Sequence, residues 1–561
     1  MRATALRTAS AVQESRDRLL AGRDRLLALP VPVVLGTAIA LQWIFVAGLA
    51  AVVRHHGWIY YQGGDQLWYY TGGWALTHGQ LVQPLVGYLW SALLAPVAAV
   101  AGPNLANAYP AIVVLDVLIL LPAALLALYG TARLIAGRAF AYGTLAVWLV
   151  LPLVGIRFVD AGYHQRFTEL ILPQAYGLTA MADFPTMVAV IVSAYFCARV
   201  LFLTRPDLLD AAAAGTAAGA AIAIKPSTAL FLAGPLLAFA CARLVREGGV
   251  FVLALVPAVV VLAVWKYRGY GYLPVVHSSA GVRLAAGSAL VALHVPQYAH
   301  FDWGHFTAQL DQLREHFWSG RLIEWFVVAG LIALGRCSLR ALALVGGWFA
   351  AFVIVKGGYS QAGIEDSSLL RILIPTFPAF AIMVASLPYL VPGAGRRRDA
   401  PVRTERLSRR VRIGAIALGL LVTALAPLAA IGAATPLRNT PSAVVIQQPL
   451  IPAGVDLGLR ARRSGARVRL RWSPQKPSGG SVFFHVFRSP AAAPFSCSTV
   501  TPAEQCTLSG AHDLGTTRKT VFVDTPGPGA WQYRVGVAAN WLNDPTQGDV
   551  YVLSAPTTAG R

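Results

Sequence analysis

Charge is scarce in this chain. Of its 561 residues 13% are Asp, Glu, Lys or Arg and 56% are apolar, a balance that excludes a soluble protein with an ordinary solvated surface. Lysine occurs only at Lys225, Lys266, Lys356, Lys476 and Lys519, so nearly all of the 46 basic residues are arginine. With much Ala and Gly, that preference suggests a GC-rich bacterial genome. Five cysteines are too few for a disulfide scaffold. Cys197, Cys241 and Cys337 lie in or beside apolar runs and read as small core residues. No Gly-x-x-x-x-Gly-Lys-Ser/Thr loop occurs, which argues against ATP-driven transport. No Asp-x-Asp stands on a link expected in the cytoplasm, which argues against a nucleotide-sugar enzyme working inside.

What is present is a series of long apolar runs divided by polar links, with a mean hydropathy of +0.58. That pattern marks a polytopic membrane protein. The runs place spans over 31–53, 109–129, 140–156, 182–203, 211–224, 228–245, 249–264, 322–335, 341–355, 372–392 and 413–433. The expected fold is a polytopic α-helical membrane bundle of about 11–12 transmembrane helices, followed by an all-β sandwich. Val31 to Val53 is too long for a signal-peptide core and lacks a convincing cleavage site, so it reads as an uncleaved anchor. Pro84 to Ala101 fits an odd number of crossings only if it dips into the bilayer or lies along its surface.

A net charge of +21 would suggest nucleic acid for a soluble protein, but here arginine concentrates in the tail and the links. This is the positive-inside pattern, so the expected partner is the lipid bilayer and no nucleic acid. The basic tail 1–30, the links with Arg133 and Arg138, Arg243 and Arg246, and Arg336 and Arg340, and the run from Arg396 to Arg412 are expected in the cytoplasm. Loops 54–108, 157–181, 265–321 and 356–371, and everything beyond 433, then face the extracytoplasmic side of the plasma membrane. Within 265–321, Phe306, Leu310, Leu313 and Phe317 share one helical face, which lies on the bilayer or packs on the protein.

From about residue 440 the apolar runs stop and alternating strands begin. Residues 434–454 read as a linker and 455–561 as a β domain. Cys497 and Cys506 either close a short loop in an oxidising compartment or stay as thiols. Arg460, Arg462, Arg463, Arg467, Arg469 and Arg471 suggest contact with anionic envelope polymer or lipid headgroups, with a solvated strand face as the alternative. The strand at Trp472, the run Phe484-His485-Val486-Phe487-Arg488, and Val521-Phe522-Val523-Asp524-Thr525-Pro526 leading to Tyr533-Arg534-Val535 resemble the fibronectin type III family over roughly 455–556. That resemblance implies a β-sandwich used for binding or spacing.

Asp65, in Gly63-Gly64-Asp65-Gln66, follows the first apolar segment. A carboxylate at the mouth of a membrane bundle is costly to desolvate without a partner, which makes it a functional-site candidate against the alternative of a solvated loop acid. Aromatic residues follow it, among them Trp68 and Tyr69, and suit either a membrane interface or a sugar. Lys225, Lys356 and Arg371 fall at outside ends of spans, where they either snorkel or meet a phosphate. Asp183 opens a span as a cap or a site acid. The loop 157–169 holds His164 and Arg166 among groups that bind sugar hydroxyls or phosphate, and no pair in it has a spacing that demands a metal.

Asp65, Tyr69, Ala75 and Gly79 in that order, the run Met181-Ala182-Asp183-Phe184-Pro185-Thr186, and Ile224-Lys225-Pro226 between two spans resemble the GT-C superfamily of membrane glycosyltransferases over about 40–400. The chain departs from the pattern at Gln66, where a second acid is common. The resemblance implies transfer of a sugar, with inversion, from a polyprenyl-phosphate donor to an envelope glycan, lipid or protein acceptor. Asp65 would be the base, Lys225, Lys356 and Arg371 would bind the donor phosphate, and Asp183, Tyr69, Trp68, His164 and Arg166 would bind substrate. No cofactor is indicated, and a divalent-metal requirement stays open although Gln66 in place of a second acid lowers it. The alternatives are a transporter or flippase of a lipid-linked precursor, for which Asp116 is the one mid-span acid, and an inactive envelope scaffold.

Overall fold

The computed structural model describes residues 28–52, 64–81, 84, 86–102, 105–164, 168, 171–271, 273, 301–317, 322–359, 362–364, 368–391, 408–436, 445–447, 457–473, 481–492, 496–501, 505–509, 512–540, 550–554 and 556–559. The tail arginines, most of the Arg396–Arg412 run, and Arg166 lie outside them.

Helices dominate up to residue 433. Seven of those described are long and apolar enough to cross a membrane: Val31–Ala51, Ala108–Ala136, Arg138–Arg157, Asp183–Phe202, Val245–Gly269, Leu339–Gly357 and Arg409–Ala433. The other expected spans are helical but short, at Leu208–Ile224, Pro226–Cys241 and Ile374–Leu390 and at Leu322–Cys337. At 1.5 Å per residue, a helix of 17 residues reaches about 25 Å, against a hydrocarbon core of about 30 Å. Proline accounts for part of the shortening. Pro226 opens the 3-10 stretch Pro226–Leu232 ahead of Ala233–Cys241, and prolines divide Ile374–Leu390 into Ile374–Thr376, Phe377–Ser386 and Leu387–Leu390.

The 84–101 stretch contains a helix of 14 residues, Tyr88–Ala101, again too short to cross. It packs along Gly64–Thr77. Two glycines permit that approach, because a Cβ on Gly73 would sit 2.6 Å from the Ser91 carbonyl oxygen and one on Gly72 would sit 2.6 Å from Ser91 Oγ. The pair of helices carries Asp65 and Tyr69.

The apolar side chains form two buried cores. One holds Trp148, Phe184, Met187, Trp348 and Leu369. The other holds Tyr69, Trp90, Tyr109, Ile224 and Trp265. Helix Asp183–Phe202 is the most enclosed of the long helices, with 78% of its apolar window buried. The amphipathic segment of loop 265–321 is seen as Trp303–Gln312, capped by Asp302, which accepts from the His305 amide at 2.9 Å. It packs on the protein, where Gln309 Oε1 accepts from the Ile364 amide at 2.8 Å and His305 Nε2 bonds the Ala362 carbonyl at 2.8 Å.

Beyond residue 440 the chain forms antiparallel sheets. Strands Arg460–Ser464, Arg467–Arg471 and Val521–Asp524 make one, and Ser481–Pro490 and Trp531–Asn540 are the centre of a second. Val468, Leu470 and Trp472 from the first share a core with Phe484, Val486, Tyr533 and Val535 from the second. Asp524 accepts from Arg488 Nη1 at 2.9 and 3.1 Å and from the Tyr533 hydroxyl at 2.8 Å, which ties the sheets together. The side chains of Cys497 and Cys506 lie outside the described residues. Their strands pair, with Cys497 opposite Leu508 and Cys506 opposite Thr499.

Candidate functional site

Local helix rules place the charges. Asp65 lies in the first turn of Gly64–Thr77 and Asp183 in the first turn of Asp183–Phe202, where the positive end of the helix dipole favours a carboxylate. Lys225 is the C-cap of Leu208–Ile224, and Lys356 lies in the last turn of Gly347–Gly357, where the dipole favours a cation. Five helices thus deliver charge at their ends, counting Ser368–Leu373, which carries Arg371.

The fold joins these ends at the seam of the two cores. Arg371 Nη2 lies 2.8 Å from Asp65 Oδ2. Lys225 Nζ donates to Asp183 Oδ1 in a pair whose carboxylate side chain is only 2% exposed. Tyr69, fully inside, donates its hydroxyl to the Ile224 carbonyl at 3.0 Å, one residue before Lys225. The pKa of that phenol is pushed well above 10, first by burial and then by the negative fields of Asp65 and Asp183, with Arg371 opposing. Tyr69 is therefore within electrostatic reach of both ion pairs. Lys356, 2% exposed, feels the charge of Lys225 and lies with its ammonium 5.1 Å from the Tyr359 ring centre.

Asp65 is the accessible member. Its side chain is 39% exposed, so a ligand can reach it. Gln66 beside it is fully buried and does different work. Its Oε1 accepts from the Tyr109 hydroxyl at 2.9 Å and from the Ala180 amide at 3.3 Å, so the position that resembles a second acid is here a neutral junction. Trp68 is half-buried in the same helix turn. His164 is exposed, and its Nε2 bonds the Val159 carbonyl at 2.9 Å within its own loop, so no contact of its side chain ties it to the charged cluster.

Two hydroxyls were not anticipated from sequence. Thr186 stands three residues after Asp183 and Thr228 three after Lys225, both buried, and their Oγ1 atoms have no hydrogen-bond partner among the described residues. The i, i+3 spacing on a helical turn is the signal that points to them. A buried unpaired hydroxyl is costly in a finished core, and each stands within one turn of a member of the Asp183–Lys225 pair.

Among the described residues, no group of three or more His, Cys, Asp or Glu could hold a metal ion. What the cluster can do chemically follows from its composition. It offers a reachable carboxylate beside a guanidinium, one buried and one half-buried ammonium group, and the Thr186 and Thr228 hydroxyls, which have no hydrogen-bond partner among the described residues. Such a set suits an anionic oxygen ligand, with a proton acceptor next to it. No protein-family model, no curated protein and no solved structure matches the chain.

Proposed function

We propose that the protein is an integral membrane glycosyltransferase that moves a sugar from a polyprenyl-phosphate donor to a hydroxyl of an envelope acceptor at the extracytoplasmic face. The observation that carries this reading is the convergence of Asp65, Arg371, Asp183, Lys225 and Lys356 from five separate helix ends. The acceptor hydroxyl gives its proton to Asp65 as its oxygen attacks the anomeric carbon. The bond from that carbon to the phosphate oxygen breaks, and the polyprenyl phosphate leaves with the electron pair. One displacement inverts the sugar carbon. Arg371, Lys225 and Lys356 offset the charge that grows on the leaving phosphate.

The two ion pairs give this reaction an order. Arg371 and Lys225 are each engaged by a carboxylate before donor arrives, so a phosphate must compete with Asp65 and Asp183 for them. A donor that draws Arg371 away frees Asp65 Oδ2 to accept a hydrogen bond from the acceptor hydroxyl. The C-terminal sheets, with the proposed fibronectin-like sandwich, serve as a binding or spacing module.

The test is transfer by purified protein from a set of polyprenyl-phosphate sugars, wild type against Asp65→Asn, with thermal unfolding as the folding control. Loss of transfer in a folded variant supports the assignment; unchanged transfer removes Asp65 as the base. One observation favours the transporter reading. Asp116 is fully buried in the π-helical stretch Val114–Leu120 within a candidate span, and neither carboxyl oxygen has a hydrogen-bond partner among the described residues. Substrate flux across vesicles with no transfer, abolished by Asp116→Asn, would select that reading instead.

A further inference from the structure

The sheet of Arg460–Ser464, Arg467–Arg471 and Val521–Asp524 has one face turned to the core and one to solvent. Val468 and Leu470 point inward and are fully buried. Arg467, Arg469 and Arg471 alternate with them and are exposed, as are Arg460 and Arg462 on the neighbouring strand. The register sets like against like: Arg460 stands opposite Arg471, and Arg462 opposite Arg469. Residues directly opposite on an antiparallel pair have Cβ atoms about 4.5–5.5 Å apart, and equal charges there destabilise the sheet.

Nothing within the sheet offsets that repulsion. Among the described residues, none of these five side chains makes an ion pair or a hydrogen bond. The one acid of the sheet, Asp524, stands opposite Val468 on the core side and is held by Arg488 and Tyr533. Arg463 shows what an internally used arginine looks like here. It alternates onto the other face and donates to the carbonyls of Gly527 and Gly529. On the five-arginine face the third strand contributes Val523, 53% exposed and opposite Arg469. The turn entering that strand adds exposed Arg518 and Lys519.

We propose that this face docks on the anionic lipid headgroups of the membrane that holds the helices. The charge complementarity is direct, since an unpaired array of guanidinium groups binds phosphate oxygens in bidentate fashion. The array is two-dimensional, spread over two strands with an apolar residue beside it, and so matches a plane of headgroups. The tether is short: only residues 434–459 separate the last candidate span from the first arginine of the face. Even fully extended, those residues reach no more than about 95 Å, so the surface is always within range and binding costs little translational freedom. Docking would hold the β region flat against the bilayer beside the helix ends.

Arginine footprinting with a dicarbonyl reagent, read by mass spectrometry, tests this on the full chain in nanodiscs. One set of discs is phosphatidylcholine alone and the other contains phosphatidylglycerol. Modification of Arg460, Arg462, Arg467, Arg469 and Arg471 should slow several-fold in the anionic discs, with Arg488 unchanged as the internal reference. Molar salt, where the screening length is about 3 Å, should restore the rate. Each basic residue near an anionic surface contributes about five-fold, so the double variant Arg462→Gln/Arg469→Gln should weaken surface partition roughly 25-fold and release the remaining three. Equal rates in both discs would mean a solvated face and overturn the proposal. Protection only on adding a soluble anionic polymer to phosphatidylcholine discs would also overturn it, in favour of a polymer partner.

Discussion

Replacing Lys225 with methionine tests the centre of the site. The pair it makes with Asp183 is enclosed, with 15% of the lysine side chain and 2% of the aspartate side chain exposed. Removing one partner of a buried ion pair typically costs about 3–5 kcal/mol, because the remaining charge must either stay desolvated or change its protonation. At 1.4 kcal/mol per factor of ten, that lowers the folding equilibrium by roughly two to four orders of magnitude. Asp183→Leu strands the more exposed lysine and should cost less, toward about 3 kcal/mol. The double variant Asp183→Leu/Lys225→Met removes both charges and should return to within about 1 kcal/mol of wild type. The cycle would then show a coupling of about 5 kcal/mol or more. Denaturant unfolding in one detergent measures stability, and sugar transfer measures function on the same samples. A structural pair predicts that the double variant regains both. A donor-phosphate site predicts that it regains stability alone. Single variants that each cost less than about 1 kcal/mol would show the pair to be effectively solvated, and would refute the reasoning.

Gly73→Leu should separate Gly64–Thr77 from Tyr88–Ala101, since even a Cβ would meet the Ser91 carbonyl oxygen at 2.6 Å; a loss of at least about 1–3 kcal/mol in thermal unfolding is expected, with transfer abolished. Gln66→Leu removes the acceptor of the Ala180 amide and one bond of the Tyr109 hydroxyl, at about 1–3 kcal/mol for the amide, measured by the same unfolding. The Tyr533 phenol is pushed upward by burial and by its bond to Asp524, so its contribution to stability is complete below the ordinary tyrosine value of about 10 and is lost as pH rises through its folded-state value. Tyr533→Phe should flatten that alkaline decline in near-ultraviolet circular dichroism. Asp65→Asn should bind polyprenyl phosphate about two- to five-fold more tightly while failing to transfer, because the phosphate no longer competes with the Asp65 carboxylate for Arg371; native mass spectrometry would read this, and binding weakened as much as by Lys225→Met would count against the competition.

The helices were legible because a bilayer imposes one rule, a sustained apolar run; helices lie at the expected positions, and seven of those described are long and apolar enough to cross. Their lengths were less so. Pro226, Pro375, Pro378 and Pro388 shorten or divide four-turn helices by removing amide donors, and hydropathy windows average over such breaks. Arg467–Arg471 alternates as a two-faced strand does, buried at Val468 and Leu470 and exposed at the arginines. What alternation cannot supply is register. The opposition of Arg462 to Arg469 depends on the turn at Gly465, which adopts φ 59°, and that opposition is what turns a basic strand into a concentrated field.

For the site, sequence located Asp183, Lys225, Lys356 and Arg371 at span ends and Asp65 in a loop, and could go no further, because the rule that places Asp183 and Lys225 is local and the rule that pairs them is not. A dipole preference is satisfied equally well by a solvated end and by a buried one. The difference lies in which ends meet, and that is decided by small residues such as Gly73, and by Gly87, whose Cβ would collide with the carbonyls of Ala223 and Ile224. These glycines bring Gly64–Thr77 and the loop after it against the end of Leu208–Ile224, and with it Tyr69 against the backbone beside Lys225. The same close packing accounts for Gln66. A second carboxylate there would be buried against Tyr109 with no cation in contact, whereas Asp65 one residue earlier opens to solvent and meets Arg371. Adjacent positions on one helical turn thus face a dry core and a partly exposed surface, and the neutral amide stands on the side where a charge would be costly. The packing of this chain therefore accounts for a neutral residue beside the reachable carboxylate of Asp65.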